Sequence, residues 1–194
     1  MAGTVGGVLL AAGMGTRFKG GNKLLAEVDG DPIVRHAAGT LVEASLDGVV
    51  AVLGHESEAV ATALDGLALT TRYNEDYAEG QSTSVTVGVE AARENGWDAA
   101  VFALGDMPDV DVATVERLLS AYTDGEGTVL APSLEGERGN PVLFDSEHFD
   151  ALGDVTGDRG GRDIVEDVGT LVPVDDPGVR RDIDRRADLQ DRSC

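Results

Sequence analysis

Short runs of apolar residues alternate with longer amphipathic segments along much of the chain. The runs have strand length, are rich in Val, Leu and Ala, and end in Gly, Asn or Pro. They cover Thr4–Ala11, Gly48–Leu53, Leu67–Arg72, Ala99–Leu104 and Thr128–Ala131. Continuous apolar runs are typical of parallel strands that are buried on both faces. The pattern therefore predicts a buried, mostly parallel sheet.

The segments between these strands repeat apolar residues with helical spacing. Asp31 and Pro32 look like an N-cap and N1 pair that opens the first helix. The other helices are predicted over Glu56–Leu64, Ser82–Asn95 and Val112–Tyr122, and Gly96 is placed to end the third of the four. Alternating strands and helices predict an α/β fold, a three-layer sandwich with a Rossmann-like, mostly parallel sheet and right-handed crossovers.

Beyond residue 131 the pattern is less regular, and glycines mark predicted turns. They are Gly136, Gly139, Gly153, Gly157, Gly160 and Gly161. A chain of 194 residues fits one α/β domain on the usual prior of roughly 100–200 residues per domain. We expect a single domain over residues 1–194, in which residues 132–194 supply the last strands and one wall of the ligand site.

The charge balance is strongly acidic, with 36 Asp and Glu against 15 Lys and Arg. Nucleic acid is an improbable partner, because its binding depends largely on neutralising phosphates. Of the 15 cations, 13 are Arg, which favours a salt-adapted, halophilic cytoplasm over an ordinary acidic protein with mixed Lys and Arg. The acidic residues are dispersed, for example at Glu56, Glu58, Asp65, Glu75, Asp76 and Glu79.

Membrane and redox functions find no support in the sequence. The longest apolar segments have about eight residues, too few to cross a bilayer, and we expect a soluble, cytoplasmic protein with no membrane partner. Cys194 is the single cysteine, so an internal disulfide and a zinc cluster of cysteines are excluded. The three histidines fit no ligand spacing and are expected on the surface or in packing; they are His36, His55 and His148.

A glycine-rich loop follows the first strand, in the stretch LLAAGMGTRFKGGNKLL at residues 9–25. Both lysines of the chain, Lys19 and Lys23, lie in it together with Arg17. Glycines allow backbone N–H groups to approach phosphate oxygens, and the cations supply countercharge. The loop is therefore interpreted as a polyphosphate site rather than as a surface turn with incidental cations.

Two common phosphate-binding motifs do not match this loop. A Rossmann dinucleotide motif needs a glycine where Phe18 stands, and an acid at the end of the second strand, where Gly54 and His55 stand. A P-loop needs Gly before the lysine and Ser or Thr after it, whereas Asn22 precedes Lys23 and Leu24 follows it. A dinucleotide fold is disfavoured, and a P-loop ATPase more firmly so.

Asp106 lies in the sequence LGDMP directly after the fourth predicted strand. In a parallel sheet it would stand beside the glycine-rich loop, because ligands gather at the carboxyl ends of the strands. Mg²⁺ needs one or two carboxylates in addition to phosphate oxygens and water. Asp106 is therefore a candidate Mg²⁺ ligand, although a lone Asp at a strand end is usually a cap or turn residue.

Five elements, in order along the chain, resemble the molybdenum-cofactor nucleotidyltransferase family, most closely its cytidylyltransferase branch. They are LAAGMGTRF with GGNKLL, the Glu79–Val85 turn, LGDMP, Arg138–Phe144 and Asp182–Asp184. The resemblance implies a fold of the nucleotide-diphospho-sugar transferase type. It also implies Mg²⁺-dependent transfer of NMP from an NTP to a phosphate, with residues 1–131 binding the nucleotide and residues 132–194 forming the acceptor side.

The resemblance also implies roles for individual residues. Arg17 and Lys23 would neutralise the triphosphate as catalytic residues, and Asp106 and Asp184 would hold the metal, with Asp182 structural. The nucleotide would contact Leu10, Ala11, Ala12, Gly13, Gly15, Gly80, Ser82 and Ser84. Asn140 would contact the acceptor. The chain departs from the family after Asp184, where RRADL replaces the usual TPEDL and alters the start of the helix.

Several alternatives remain open at this point. Ser82 or Ser84 could cap a helix instead of reading the base, and Gly139-Asn140 is also good turn chemistry before Pro141. CTP and molybdopterin are the favoured substrates. A sugar or polyol phosphate acceptor is the first alternative, and a non-catalytic nucleotide-binding regulator is the second.

Overall fold

The structure is a computed structural model that describes residues 3–15, 18, 21–157 and 161–189. The strands within this part of the chain are β1 (Val5–Ala11), β2 (Glu27–Val28), β3 (Asp31–Pro32), β4 (Val49–Leu53), β5 (Thr70–Tyr73), β6 (Ala99–Leu104), β7 (Val129–Leu134), β8 (Glu137–Arg138), β9 (Val142–Asp145) and β10 (Thr170–Pro173). The α-helices are α1 (Ile33–Glu43), α2 (Ser57–Ala63), α3 (Gln81–Glu94), α4 (Val112–Thr123), α5 (Phe149–Gly153) and α6 (Arg162–Val168).

The main sheet has the strand order β10-β7-β9-β6-β1-β4-β5, with β8 added to β7. β1 pairs in parallel with β4 and β6, β4 with β5, and β7 with β10. β9 is inserted between β6 and β7 and runs antiparallel to both. The predicted mostly parallel sheet is confirmed.

Helices cover both faces of this sheet. On one face, Leu9 and Val101 pack with residues of α1, α2 and α4. On the other face, Val8 packs with residues of α3, α5 and α6, and the rings of Phe102 and Phe144 meet edge to face at 5.8 Å. Successive strand residues point to opposite faces, so the continuous apolar runs fill two cores. The three-layer α/β sandwich is confirmed.

The order of the strands brings distant loops to one edge of the sheet. β1 and β6 are parallel neighbours, so the loops after Ala11 and after Leu104 leave the sheet side by side. The Gly105 N–H donates to the carbonyl of Leu10 at 2.9 Å, which fixes the start of the Asp106 loop against the end of β1. The carbonyl of Asp106 accepts from Ile183 N–H at 2.9 Å, which adds the end of the described chain to this edge.

The predicted start of the first helix was wrong. Asp31 and Pro32 belong to β3, which pairs with β2 across a turn at Asp29 and Gly30, and both turn residues have positive φ angles of 52° and 92°. Pro32 occupies the N-cap position of α1 and makes no side-chain capping hydrogen bond. The sequence Val-Asp-Gly-Asp-Pro therefore specifies a hairpin turn of the Asp-Gly type ahead of the helix.

The segment after residue 131 contains more regular structure than the sequence indicates. β7 extends to Leu134, and β8, β9 and β10 follow it with two short helices. Gly136 and Gly157 have positive φ angles of 82° and 76°, as expected at turns. Gly139 instead marks a close approach, because a Cβ there would lie 2.5 Å from the carbonyl oxygen of Val179. Gly160 lies outside the described residues.

Candidate functional site

A cavity of about 590 Å³ opens at the carboxyl ends of β1 and β6. The first strand and its loop form one wall, and the segment before α3 forms another. Asp106 and Leu104 contribute from the end of β6. The lining residues are Leu10, Ala12, Gly13, Met14, Gly15, Lys23, Leu24, Tyr77, Ala78, Glu79, Gly80, Gln81, Ser84, Leu104 and Asp106.

Lys23 joins the glycine-rich loop to two acidic residues from distant parts of the chain. Its Nζ lies 2.5 Å from Oδ2 of Asp106 and 3.1 Å from Oδ1 of Asp184. Burial of the ammonium favours its neutral form, but the two carboxylates outweigh this effect and raise the pKa of Lys23 above its ordinary value. Lys23 is therefore a charged group held against the carboxylates.

Gly15 allows the loop to pass close to Lys23. Its φ angle is +55°, a conformation that side-chain-bearing residues rarely adopt. A Cβ at this position would lie 3.0 Å from Cγ of Lys23. A larger residue would therefore strain the backbone and press on the lysine stem. By contrast, a Cβ at Gly13 would meet no atom of the described residues within 4 Å, so nothing in this part of the chain covers that backbone on the cavity side.

Three carboxylates converge on one point beside Lys23. Oxygen atoms of Asp106, Asp182 and Asp184 lie within 4.8 Å of one another. Burial, followed by the charges of Asp184 and Asp106, raises the pKa of Asp182 above its ordinary value. Three hard oxygen donors facing a single ammonium fit a divalent cation such as Mg²⁺ or Mn²⁺. The sequence prediction paired Asp106 with Asp184, and the structure brings Asp182 into the same group.

The side chain of Asp188 holds the backbone next to the three carboxylates in place. Its Oδ2 accepts hydrogen bonds from the backbone N–H groups of Asp184 at 2.9 Å and Arg185 at 2.7 Å. These bonds organise the short helix Arg186–Leu189, although its first residues differ from the family pattern. The side chain of Asp188 thus performs a capping task that sequence reasoning did not assign to it.

The turn before α3 places Gly80 and Ser84 on the cavity. Gly80 is the N-cap residue of α3 and, having no side chain, makes no side-chain capping hydrogen bond. Ser82 and Ser84 lie inside the helix, and both are buried, so neither caps it. The Oγ atom of Ser84 accepts a hydrogen bond from Nδ2 of Asn74 at 2.9 Å. Asn74 is 2% exposed, and no local motif marked it in the sequence.

A second cavity of about 260 Å³ adjoins the first one. The two cavities share Leu10, Gln81 and Leu104. Apolar residues make up eight of the thirteen that line the second cavity, and its polar lining residues are Gln81, Arg138, Asn140 and Arg162. Nη1 of Arg138 is buried and has no hydrogen-bond partner in the part of the chain that the structure describes. This cavity therefore offers a cation and amide groups beside an apolar surface.

The structure places most of the residues selected from the sequence at the two cavities. Lys23, Asp106 and Asp184 are in contact, Leu10, Ala12, Gly13, Gly15, Gly80 and Ser84 line the first cavity, and Asn140 lines the second. Two predicted nucleotide contacts are elsewhere, since Ala11 packs in the core and Ser82 is absent from the cavity wall. Arg17 and Lys19 lie outside the described residues. Tyr77, Gln81 and Arg138 also line these cavities and were not selected from the sequence.

A parallel α/β sheet with a glycine loop, a lysine and an acidic group at its carboxyl edge is typical of phosphate-binding α/β domains. Comparison with known families agrees with this class. Residues 7–180 match the MobA-like NTP transferase domain, and the chain belongs to this family.

Known relatives show how widely this domain is used. Nicotine blue oxidoreductase of Paenarthrobacter nicotinovorans is 34% identical over 164 residues, which cover 81% of this chain and 79% of the relative. The bifunctional protein GlmU of Clavibacter sepedonicus is 30% identical over 161 residues, which cover 78% of this chain. The chain spans 33% of the length of that GlmU protein.

Solved structures share the fold at lower identity. A nucleotidyl transferase from Methanothermobacter superposes with a TM-score of 0.80 and 24% identity, covering 97% of this chain and 95% of that one. Rv0371C of Mycobacterium tuberculosis, solved as a complex with manganese, has a TM-score of 0.76 and 22% identity, with 97% of both chains covered.

Within the residues that the structure describes, no helix has both the length and the apolar character needed to cross a membrane.

Proposed function

We propose that the protein is a divalent-metal-dependent nucleotidyltransferase that moves CMP from CTP to a phosphate-bearing acceptor, in particular molybdopterin, and releases pyrophosphate. The observation that carries this proposal is the contact of Lys23 with Asp106 and Asp184 at the mouth of a cavity lined by Gly13 and Gly15. A cation, several carboxylates and open glycine backbone are the parts that phosphoryl transfer requires.

The chemistry needs little help from a general base. An acceptor phosphate is already anionic near neutral pH, and one of its oxygens attacks the α-phosphorus of the NTP. The bond from the α-phosphorus to the bridging oxygen breaks, and that oxygen leaves with pyrophosphate. Gly13 and Gly15 would hold the triphosphate, while the ammonium of Lys23 would stabilise the charge that develops on the leaving group. Arg17 is proposed to clamp phosphate oxygens as well.

Asp106 and Asp184 would hold the metal, with Asp182 beside them. Mg²⁺ is proposed as the physiological ion because it prefers carboxylate, phosphate and water oxygens. When bound, the ion would neutralise phosphate charge. The manganese complex of the structurally similar Rv0371C supports a divalent cation in this fold. The protein's own contribution is to hold the three carboxylates close together and to balance them with Lys23.

The second cavity is proposed as the acceptor site. It joins the first one at Leu10 and Leu104, so a molecule bound there can reach a nucleotide in the first cavity. Arg138 and Asn140 would bind an anionic or polar group, and the apolar wall would contact a flat or apolar body. We propose molybdopterin as this acceptor, because a flat ring system can lie against the apolar side chains while a phosphate group meets Arg138.

CTP is proposed as the donor because few polar groups line the end of the first cavity at Gly80 and Ser84, where the base would lie. Gly80 offers backbone groups and Ser84 offers a hydroxyl, which suit the small polar edge of cytosine. With the nucleotide in the first cavity, residues 1–131 form the nucleotide-binding part and residues 132–194 the acceptor part. The acidic composition supports a further proposal, that the protein works in a salt-adapted cytoplasm.

Pyrophosphate release is the direct test of the proposed reaction. The purified protein would be supplied with CTP, GTP, ATP or UTP, with Mg²⁺ or Mn²⁺, and with molybdopterin or a panel of sugar and polyol phosphates. We expect release with CTP and molybdopterin. Asp106→Asn is the matched control, because it keeps the side-chain shape and removes the charge that a hard cation prefers.

The outcomes separate the alternatives. Release with a sugar phosphate alone would keep the reaction and replace the acceptor. Nucleotide binding without release for any acceptor would favour a regulator. An assay for oxidation of NADH and NADPH is included because one relative is named an oxidoreductase. Turnover in that assay alone would refute nucleotidyl transfer.

A further inference from the structure

The side chain of Asn74 is hydrogen-bonded next to Ser84, at the end of the first cavity where the base is proposed to lie. The donors and acceptors of these Asn74 bonds can be assigned in only one way. The backbone N–H of Asp76 lies 3.0 Å from Oδ1 of Asn74. A backbone N–H can only donate, so the amide oxygen of Asn74 must face it. The amide nitrogen of Asn74 then faces Oγ1 of Thr83 at 2.8 Å and Oγ of Ser84 at 2.9 Å.

This direction occupies one lone pair of each hydroxyl oxygen and leaves each hydroxyl its own hydrogen to donate. An amide nitrogen only donates, so Thr83 and Ser84 both accept from Asn74. Thr83 can pass its own hydrogen to the carbonyl oxygens of Asp76 at 3.0 Å or Gly80 at 2.9 Å. The structure gives Ser84 no equivalent acceptor among residues 3–15, 18, 21–157 and 161–189. Ser84 is 5% exposed and lines the first cavity, so its hydrogen is available to a ligand there.

We infer that Asn74 is a positioning residue for base selection, because it makes Ser84 a hydrogen-bond donor toward the nucleobase. The inference rests on the proposed function, which places the base beside Ser84. Cytosine presents the acceptors O2 and N3 on its pairing edge, whereas guanine presents two N–H donors at the complementary positions. The hydrogen of Ser84 that remains for a ligand therefore pairs with O2 or N3 of cytosine, whereas a guanine N–H can be met only if that hydrogen turns away and the second lone pair of Oγ accepts.

The support for Asn74 comes from the sheet. Its backbone N–H donates to the carbonyl of Leu53, the last residue of β4, at 2.8 Å. Asn74 itself is 2% exposed. A residue that is anchored to the end of a strand keeps its side-chain orientation better than a residue in an unanchored loop. Asn74 can therefore act on the base through Ser84 without touching the nucleotide.

Calorimetric titration of the full chain with CTP and with GTP, both in Mg²⁺, tests the inference without an acceptor. In Asn74→Asp, the carboxylate still accepts from Asp76 N–H, but its second oxygen cannot donate and would draw the hydrogen of Ser84 away from the cavity. We expect the preference for CTP over GTP, measured as the ratio of Kd values, to fall about 5- to 30-fold. The added charge repels both nucleotides equally and cancels in the ratio.

Two further variants distinguish an effect on the choice of base from an effect on the stability of the turn before α3. Thr83→Val removes the other hydroxyl that accepts from Asn74, and it should lower Tm without changing the ratio. In Ser84→Ala the ratio should fall as in Asn74→Asp, and the double variant should match Ser84→Ala. That non-additive result is expected only if Asn74 acts through Ser84.

The results that overturn the inference differ from those that overturn the proposed function. An unchanged ratio in Asn74→Asp, or additive effects in the double variant, would make Asn74 purely structural. A parent protein that prefers GTP would refute CTP as the donor and would also refute the pairing of the Ser84 hydroxyl with cytosine, even if the double variant still showed that Asn74 acts through Ser84. A parent protein that binds neither nucleotide would overturn both.

Discussion

The carboxylate of Asp188 holds the backbone of Asp184 through a hydrogen bond of 2.9 Å to its N–H group. Asp188 does not belong to the group of converging carboxylates, yet it fixes the backbone that carries one of them. Residues that orient metal ligands in this way typically contribute 10- to 100-fold to metal affinity.

Asp188→Ala should therefore weaken Mn²⁺ binding by about tenfold, because the segment that carries Asp184 loses its support. Titration of the purified protein with Mn²⁺, followed by electron paramagnetic resonance, measures the free ion. Asp167→Ala is the control, since it removes one exposed carboxylate of α6 and leaves Asp184 untouched. Equal Mn²⁺ affinity in the two variants would show that Asp188 acts only through its charge.

Lys23→Ala should lower kcat much more than it weakens binding of the NTP. The ammonium is most needed when charge develops on the leaving pyrophosphate, and loss of one such group costs about 2–4 kcal/mol, or roughly 30- to 1000-fold in rate. Rapid-quench measurement of a single turnover isolates this step. A variant that turned over at the parental rate would remove Lys23 from the mechanism.

The same variant should bind Mn²⁺ more tightly when no nucleotide is present. In the parent protein the Lys23 ammonium already neutralises Asp106 and Asp184 and competes with a cation for their oxygens. Its removal leaves three carboxylates without that charge, so we expect an increase in affinity of at least severalfold. Lys23→Met, which keeps the apolar stem, should behave like Lys23→Ala. Weaker Mn²⁺ binding in both would contradict the proposed competition.

Arg138→Met should raise the KM for the acceptor and leave the KM for the NTP unchanged. The buried Nη1 atom has no hydrogen-bond partner among the described residues, which suits an anionic ligand. Hydrogen bonds to a charged group contribute about 1.5–3 kcal/mol, or roughly 10- to 150-fold in affinity. Arg162→Met tests the other arginine of this cavity. If the KM for the NTP rose instead, Arg138 would belong to the nucleotide site.

Tyr122 should give the protein a specific loss of stability in alkali. Its hydroxyl donates to Oδ2 of Asp145 at 2.5 Å. Burial, this hydrogen bond and nearby carboxylates raise the pKa of Tyr122 above its ordinary value. The folded state thus favours the neutral phenol. This contribution is complete below the unfolded pKa of about 10 and is lost progressively as the pH rises above it.

Urea unfolding between pH 8 and pH 11 measures this effect. The free energy of unfolding should fall more steeply with pH in the parent protein than in Tyr122→Phe. Tyr73→Phe, which removes the hydroxyl of an exposed tyrosine, should follow the parent curve. Parallel curves for Tyr122→Phe and the parent protein would show that the Asp145 contact does not favour the neutral phenol.

The central strands of the sheet could be predicted because their apolar sequences match the buried positions that they occupy. β1, β4 and β6 are continuous apolar runs, and each is buried between two helical layers. β5 was predicted to begin three residues too early and to end one residue too early, since it is an edge strand whose four residues are all exposed. β9 has only four residues and depends on pairing with β6 and β7 for its stability, which no local pattern reveals.

The site could be predicted as far as its residues lie next to strand ends. Lys23 and Asp106 follow β1 and β6, and a parallel sheet brings such positions together. Asn74 and Asp182 could not be placed in the same way. Asn74 contributes through bonds to residues nine and ten positions away, and Asp182 reaches the site because Ile183 pairs with the carbonyl of Asp106. Such contacts depend on the path of the folded chain.

Because β9 is antiparallel to its neighbours, the proposed acceptor residues and the proposed nucleotide loops lie in different segments of the chain and can change independently. The nucleotide loops follow parallel strands, whereas Arg138 and Asn140 precede β9 and reach the same edge because that strand runs the other way. If Arg138 and Asn140 bind the acceptor as proposed, divergence of the segment from β8 to β9 can change the acceptor while the proposed nucleotide loops stay unchanged. A chimaera that exchanges this segment between paralogues should exchange their acceptors and keep their donor nucleotide.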